Sequence, residues 1–298
     1  MTYPTEPSQA GYQSQAPSCY RHPGREAYIT CNRCGRTICP DCMRAASVGF
    51  QCPECVRGGN RGVRKPQGSF GGRRSAGDPA LVTKVLIGIN VVVWVIGVLS
   101  NFGSVTGVGG AANPVNLKLG LIPFDVAQQH QYYRLITAAF IHFGIAHIGL
   151  NMFALWLIGR QLEPVLGRSR YLALYLVAAI GGDALAYLLS PGNALEGGAS
   201  GAVFGLFAAL FIVARRLRLE TGGIVTIIAL NFVLSFVIRG ISWQAHLGGL
   251  VAGALVTAVL VYAPRGPSRV PIQVLGTAVV LAIAAAMVVY RTSSVGFL

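Results

Sequence analysis

From Leu81 onward the chain is a succession of apolar runs separated by short polar stretches, whereas the first 80 residues contain no such run. A helix that crosses a hydrocarbon core needs about 20 apolar residues. The runs fall at about 81–100, 140–158, 171–190, 200–214, 222–238, 243–263 and 270–290. The pattern predicts an all-α polytopic membrane protein of seven spans, preceded by a polar segment of another kind. Composition agrees, with 53% hydrophobic and 11% charged residues in 298, where a soluble domain carries roughly a quarter charged. An ordinary soluble enzyme is excluded.

Charge sets the expected orientation. Residues 1–18 are polar and Pro/Ser/Gln-rich, read as a disordered tail, and lack the basic, apolar and small-residue order of a secretion signal. The N-terminus is therefore expected in the cytosol. With loops assigned alternately, that side receives Arg160, Arg168, Arg170, Arg215, Arg216, Arg218, Arg265 and Arg269, against Lys118, Arg134, Arg239 and Arg291 outside. The bias fits the rule that cytoplasmic loops are basic. Seven spans then put the short C-terminal tail outside.

All seven cysteines lie between Cys19 and Cys55, in pairs: Cys19-x2-His22, Cys31-x2-Cys34, Cys39-x2-Cys42 and Cys52-x2-Cys55. Histidine completes the odd cysteine. Eight ligands in four pairs suit two tetrahedral zinc ions, because a two-residue gap lets a tight turn aim both side chains at one metal. A disulfide framework would leave one cysteine over and require an oxidising compartment. The order of pairs resembles the B-box type of zinc finger, and that resemblance implies a cross-brace, with Cys19, His22, Cys39 and Cys42 at one site and Cys31, Cys34, Cys52 and Cys55 at the other. Sequential pairing stays open, and the last pair departs from the common B-box ending in histidines. With so few apolar residues, the metal is expected to supply most of the folding energy. Closed sites leave no room for catalysis, so the finger is read as binding a protein partner, sensing metal or redox state, or acting as a passive cap.

Residues 57–80 read as a Gly/Arg/Ser linker carrying Arg57, Arg61, Arg64, Lys65, Arg73 and Arg74 and a single acid, Asp78. A basic run next to a span fits attraction to anionic lipid. Nucleic-acid binding is the runner-up for this stretch, but it holds a single aromatic, Phe70, and precedes a membrane span, so no nucleic acid is expected as a partner.

Candidate chemistry sits in polar residues that hydrocarbon should not contain, since intramembrane ionisable groups are costly and by default functional. His142, His147 and His246 lie at or inside spans, and Asn151 follows His147 by one helical turn on the same face. Each taken singly could be a helix–helix hydrogen bond. The fourth span opens Gly198-Ala199-Ser200-Gly201 and ends at Arg215 and Arg216. From Ser200 to Arg215 it rises about 22 Å against a core about 30 Å thick, so Ser200 is expected below the outer surface. Gly201 and Gly205 on this span, with Gly249 and Gly253 after His246, make matching small faces that would let the two helices approach and bring Ser200 within reach of His246. A serine becomes nucleophilic when a base takes its proton.

These motifs resemble the rhomboid family of intramembrane serine proteases. The resemblance is carried by Tyr133-Arg134, by His142, His147 and Asn151, by Gly159-x3-Glu163-x3-Gly167-x2-Arg170, by Gly198-x-Ser200-Gly201 and by His246-x2-Gly249-x3-Gly253, across roughly residues 81–265. It implies a six-helix core with the seventh span added at the C-terminus. It also implies a serine endopeptidase with Ser200 as nucleophile and His246 as base, and an oxyanion site formed by His147, Asn151 and the Ser200 N–H. Gly198, Gly201, Phe204, Gly249 and His142 take supporting roles. Phe204 stands where tyrosine is usual and keeps the ring that packs on the histidine. Arg134, Glu163 and Arg170 are read as structural fasteners, and the loop from about Asn101 to Tyr133 is implied to enter the outer leaflet. Catalysis needs no cofactor. Substrates are implied to be transmembrane segments in the bilayer, cut on the outer side.

Asp183, an intramembrane acid, is either an orienting group for the base or a buried hydrogen-bonded residue. A catalytically inactive rhomboid-like adaptor or chaperone is the alternative, although such relatives typically lose the serine or the histidine. A transporter would need an inverted repeat that is absent. The expected organisation is a tail at 1–18, the finger at 19–56, the linker at 57–80, the protease core at 81–265 and the extra helix and tail at 266–298.

Overall fold

The computed structural model describes residues 16–61, 70–71, 77–106, 113–238 and 240–294. The tail over 1–15, the linker cations Arg64, Lys65, Arg73 and Arg74, and Arg239 lie outside the described residues. Two compact units divide between Lys65 and Pro66.

The first unit is built from three antiparallel two-stranded ribbons. They are β1 (Ser18–Cys19) with β2 (His22–Glu26), β3 (Ile29–Thr30) with β4 (Thr37–Ile38), and β5 (Arg44–Ala45) with β6 (Phe50–Gln51), followed by helix α1 (Pro53–Arg61). Ribbons this short have no independent stability. Their buried centre is Cys19, Ala27, Cys31, Ile38, Cys39, Cys42 and Cys52, so five of its seven members are cysteines. An aliphatic core is all but missing, as the paired-cysteine reading requires.

The second unit is helical. It begins with α2 (Leu81–Ser100), continues through the short helices α3 (Pro114–Leu119), α4 (Pro123–Gln128) and α5 (Arg134–Thr137), and then runs through six longer helices. These are α6 (Ile145–Leu166), α7 (Arg168–Leu189), α8 (Ser200–Arg216), α9 (Gly222–Val237), α10 (Trp243–Tyr262) and α11 (Arg269–Ser294). Among the described residues, α2, α7, α10 and α11 are each long and apolar enough to cross a membrane. The segment Arg134–Phe140 and α6, bent by 94°, make a fifth span if they count as one. Helices α8 and α9, with 17 and 16 residues, rise about 26 and 24 Å and fall short of a full crossing.

Burial orders the bundle. In their most apolar windows α7 is 61% and α10 56% buried, while α2 and α11 are each 22% buried. Helices α7, α8 and α10 therefore form the centre, and the apolar side chains that α2, α9 and α11 leave exposed face outward, as a lipid-facing surface does. The central three approach closely through small residues. A Cβ on Gly249 would overlap the Gly201 carbonyl, and one on Gly253 would meet Gly205. The fold is thus a six-helix core with one added C-terminal helix.

One span differs from expectation. Helix α6 starts at Ile145, because a 3-10 turn at Ala138–Phe140 and an extended Ile141 precede Gly144 at φ +91°. It then continues to Leu166 instead of ending near 158. Leu162, Glu163 and Leu166 are buried on its last turns, which holds the helix together through Pro164 until Gly167 at φ +83° stops it.

Candidate active site

Ser200 is the first residue of α8, and the residue before it, Ala199, offers no side-chain cap. The first amides of a helix have no intrahelical partner, and they carry the positive end of its dipole. The loop that delivers Ser200 there is pinned twice: Gly198 N–H donates to the Ala138 carbonyl at 2.8 Å, and Ala199 N–H donates to His142 Nε2 at 3.5 Å. Gly198 itself sits at φ +134°, where a side chain is strained. A Cβ added there would lie 2.8 Å from His147 Nε2 and 3.8 Å from Ser200 Oγ. The histidine edge and the serine hydroxyl therefore flank one spot.

His147 accepts a hydrogen bond from the Phe143 N–H on Nδ1 at 3.3 Å. A neutral ring that accepts at Nδ1 carries its proton on Nε2, so the edge against Gly198 is an N–H donor. Asn151 donates one amide hydrogen to the His147 carbonyl at 3.0 Å and retains a second. His142 packs edge-on against His147, ring centroids 5.0 Å apart.

His246 lies in the first turn of α10 and is buried. Phe204, one turn beyond Ser200 on α8, stacks on it at 4.1 Å between centroids and 15° between planes. The ring contact expected of this position is present. The close α8–α10 packing is present as well, yet Ser200 Oγ makes no hydrogen bond among the described residues. Instead, His246 Nδ1 pairs with Ser235 Oγ of α9 at 2.6 Å. Asp183 is buried on α7 with Oδ2 unpartnered among the described residues, and it does not bond His246.

A model of the Rhomboid domain matches residues 129–263, the stretch that contains every one of these side chains. The chain is 37% identical over 158 residues to rhomboid protease GluP of Bacillus subtilis, covering 51% of this chain and 31% of that one. It is 35% identical over 136 residues to YdcA of the same bacterium, covering 44% and 68%. To RHOMBOID-like protein 5 of Arabidopsis thaliana it is 32% identical over 164 residues, covering 52% and 53%. The chain belongs to the rhomboid family. It matches under a third of the length of GluP and about half of the plant relative.

Within this rhomboid the charged family positions act as fasteners. Buried Arg134 donates to the Leu117 carbonyl at 2.8 Å, the Gly120 carbonyl at 2.5 Å, Gln131 Oε1 at 2.7 Å and Asp125 Oδ2 at 2.8 Å, tying down the segment ahead of α6. Glu163 does more than brace its own turn. Its carboxylate accepts from Val82 N–H, Thr83 N–H and Thr83 Oγ1, each at 2.9 Å, and so caps the start of α2. Arg170 reaches α11 through Gln273 Oε1 at 2.8 Å.

Two contributors have no signature in the motif pattern. Glu196 accepts from Ser190 Oγ and from Ser242 Oγ, the latter at 2.7 Å, and bridges through its backbone to Leu121. It thereby joins the loop before Ser200 to the residue that caps α10. Ser235 is the other. Glu196 lies between two apolar runs and Ser235 inside one, and nothing in the spacing names the partner of either.

In the first unit the ligand atoms gather into two groups, Cys19/His22/Cys39/Cys42 and Cys31/Cys34/Cys52/Cys55, each with all atoms within 4.8 Å of one another. His22 Nδ1 lies 3.8, 3.3 and 3.5 Å from the sulfurs of Cys19, Cys39 and Cys42, and Cys34 and Cys52 sulfurs are 3.8 Å apart. A tetrahedron about an ion at roughly 2.3 Å has edges of about 3.8 Å, so both groups fit a metal. Burial opposes ionisation of Cys19 and Cys31, but the backbone amides aimed at each sulfur outweigh it and bring both thiols down to about 6. Cys19, Cys31 and Cys34 thus lean toward the thiolate that a metal binds, whereas burial pushes the Cys42 thiol up to about 11 and the neighbouring Cys52 sulfur pushes Cys55 up to about 12.

Proposed function

We propose that this rhomboid is an intramembrane serine endopeptidase that cuts transmembrane segments of membrane proteins, with Ser200 as nucleophile and His246 as general base. One observation carries the reading: Ser200 heads an uncapped helix beside the His147 Nε2–H donor, while the helix packed against it carries His246 stacked on Phe204. His246 Nε2 takes the Ser200 Oγ proton as Oγ attacks the scissile carbonyl carbon. The oxyanion that forms accepts hydrogen bonds from the Ser200 N–H, His147 Nε2–H and the free amide hydrogen of Asn151. Such donors, fixed before reaction, are each worth about 2.7–4 kcal/mol. His246 then returns the proton to the leaving amine, and water releases the acyl group by the same steps. No metal takes part.

The catalytic domain is assigned to 81–265, with α11 as an added helix and 57–80 as a basic linker suited to anionic lipid. The N-terminus and the finger over 19–56 are placed in the cytosol, and the Ser200 pocket opens to the outer side, by the charge bias of the loops. The finger binds two structural zinc ions in a cross-brace and serves a protein partner. Cleavage of a model transmembrane substrate by the purified chain in liposomes tests the activity. Loss of cleavage in both Ser200→Ala and His246→Ala supports the dyad, since catalytic pairs act as a unit, and substantial cleavage by either variant removes it.

A further inference from the structure

We propose that Ser235 is a positioning residue that sets the tautomer of His246. The inference rests on the reading of His246 as the base. Ser235 Oγ lies 2.6 Å from His246 Nδ1 and also donates to the Asn231 carbonyl one turn back on α9, at 2.9 Å. A hydroxyl has a single hydrogen. With that hydrogen committed to a carbonyl, which can only accept, the oxygen is left to accept from His246, so Nδ1 carries the imidazole proton. A neutral ring protonated at Nδ1 is bare at Nε2, and a general base needs that lone pair.

The local structure keeps the arrangement in place. Ser235 is 4% exposed and is the buried residue of α9, whose other side chains are partly or fully exposed. Phe204 stacks on the face of the His246 ring and leaves its edges to hydrogen bonding. Asp183, the one acid inside α7, makes no bond to the ring. A neutral hydroxyl and a backbone carbonyl thus fill the place that a carboxylate holds in a triad. Through the proton transfers Nδ1–H stays on His246 and the Ser235 hydrogen stays on Ser235, because the Asn231 carbonyl has no site for a proton at neutral pH. The relay orients the base and adds no charge.

Full-length protein labelled with 15N-histidine gives the direct readout, with the His246 signal assigned by its absence in His246→Ala. Wild type is expected to show protonated Nδ1 and bare Nε2. Ser235→Ala moves population to the Nε2–H form and lowers kcat on a model transmembrane substrate roughly 3- to 10-fold, the worth of one neutral hydrogen bond. KM changes by less than about twofold, because the lost contact acts on the chemical step. Ser235→Thr, which keeps the hydroxyl, retains both properties. A fall in kcat with the Nδ1–H signature unchanged means a merely structural role and overturns the proposal, as does an unchanged kcat. Failure of the dyad reading looks different: His246→Ala or Ser200→Ala would then stay active, whatever Ser235 does to the ring.

Discussion

Gly198→Ala puts the smallest side chain at the point where His147 and Ser200 meet. The added Cβ would stand 2.8 Å from both His147 Nε2 and Cε1, so the imidazole must withdraw by about 0.7 Å to reach an ordinary contact of about 3.5 Å. Displacements of about 1 Å at a catalytic group cost about 100-fold, and complete loss of one oxyanion donor costs about 100- to 1,000-fold. The expected fall in kcat is therefore on the order of 100-fold. The φ of +134° adds backbone strain of about 1–3 kcal/mol, so thermal stability falls too, and a melting curve in detergent measures that part separately. Coupling identifies the cause: with His147→Ala the collision disappears, and the double variant should lose far less than the product of the single losses. Turnover by Gly198→Ala within about threefold of wild type, under about 0.7 kcal/mol in barrier, would refute this account of the donor edge.

Asp183→Asn should leave turnover nearly unchanged, since His246 Nδ1 bonds Ser235, and a loss beyond about tenfold would make Asp183 an orienting group. Glu163→Ala orphans three donors at the start of α2; hydrogen bonds to a charged group are worth about 1.5–3 kcal/mol each, so melting in detergent should fall by several degrees, and an unchanged melt would contradict the cap. Metal analysis of the purified chain should give about two zinc ions, the number that eight ligands saturate. A strong chelator should unfold the 16–61 ribbons while leaving detergent cleavage nearly unchanged. One ion or none, or loss of cleavage on chelation, would contradict the two-site, separable finger.

Long apolar runs made most of the helices legible. α2, α7, α8, α9, α10 and α11 begin and end within four residues of the hydropathy boundaries, because in a membrane the run itself is the helix. α6 escaped that rule. Its last turns hold Arg160, Glu163 and Pro164, which look like a loop until Glu163 is seen capping α2 and the leucines around it are seen buried. At the candidate site, the positions of His147, Ser200 and His246, though not their roles, were legible because each stands in a motif at fixed spacing, and that of Phe204 because it lies one turn beyond Ser200. The packing of Gly201 against Gly249 followed from small residues at helical intervals. Ser235 and Glu196 were not readable, since no helical or motif spacing ties either to its partner and a serine in an apolar helix usually only bonds its own backbone. The cysteine groups followed the cross-brace order because the ribbons bring the first pair to the third and the second to the fourth.

Active-site labelling tests the central claim most directly. Wild-type protein treated with a fluorophosphonate should carry one adduct, mapped by mass spectrometry to Ser200, and both Ser200→Ala and His246→Ala should remain unlabelled under the same conditions. An adduct on another serine, or one that persists in either variant, would contradict the assignment of Ser200 as the nucleophile and His246 as its base.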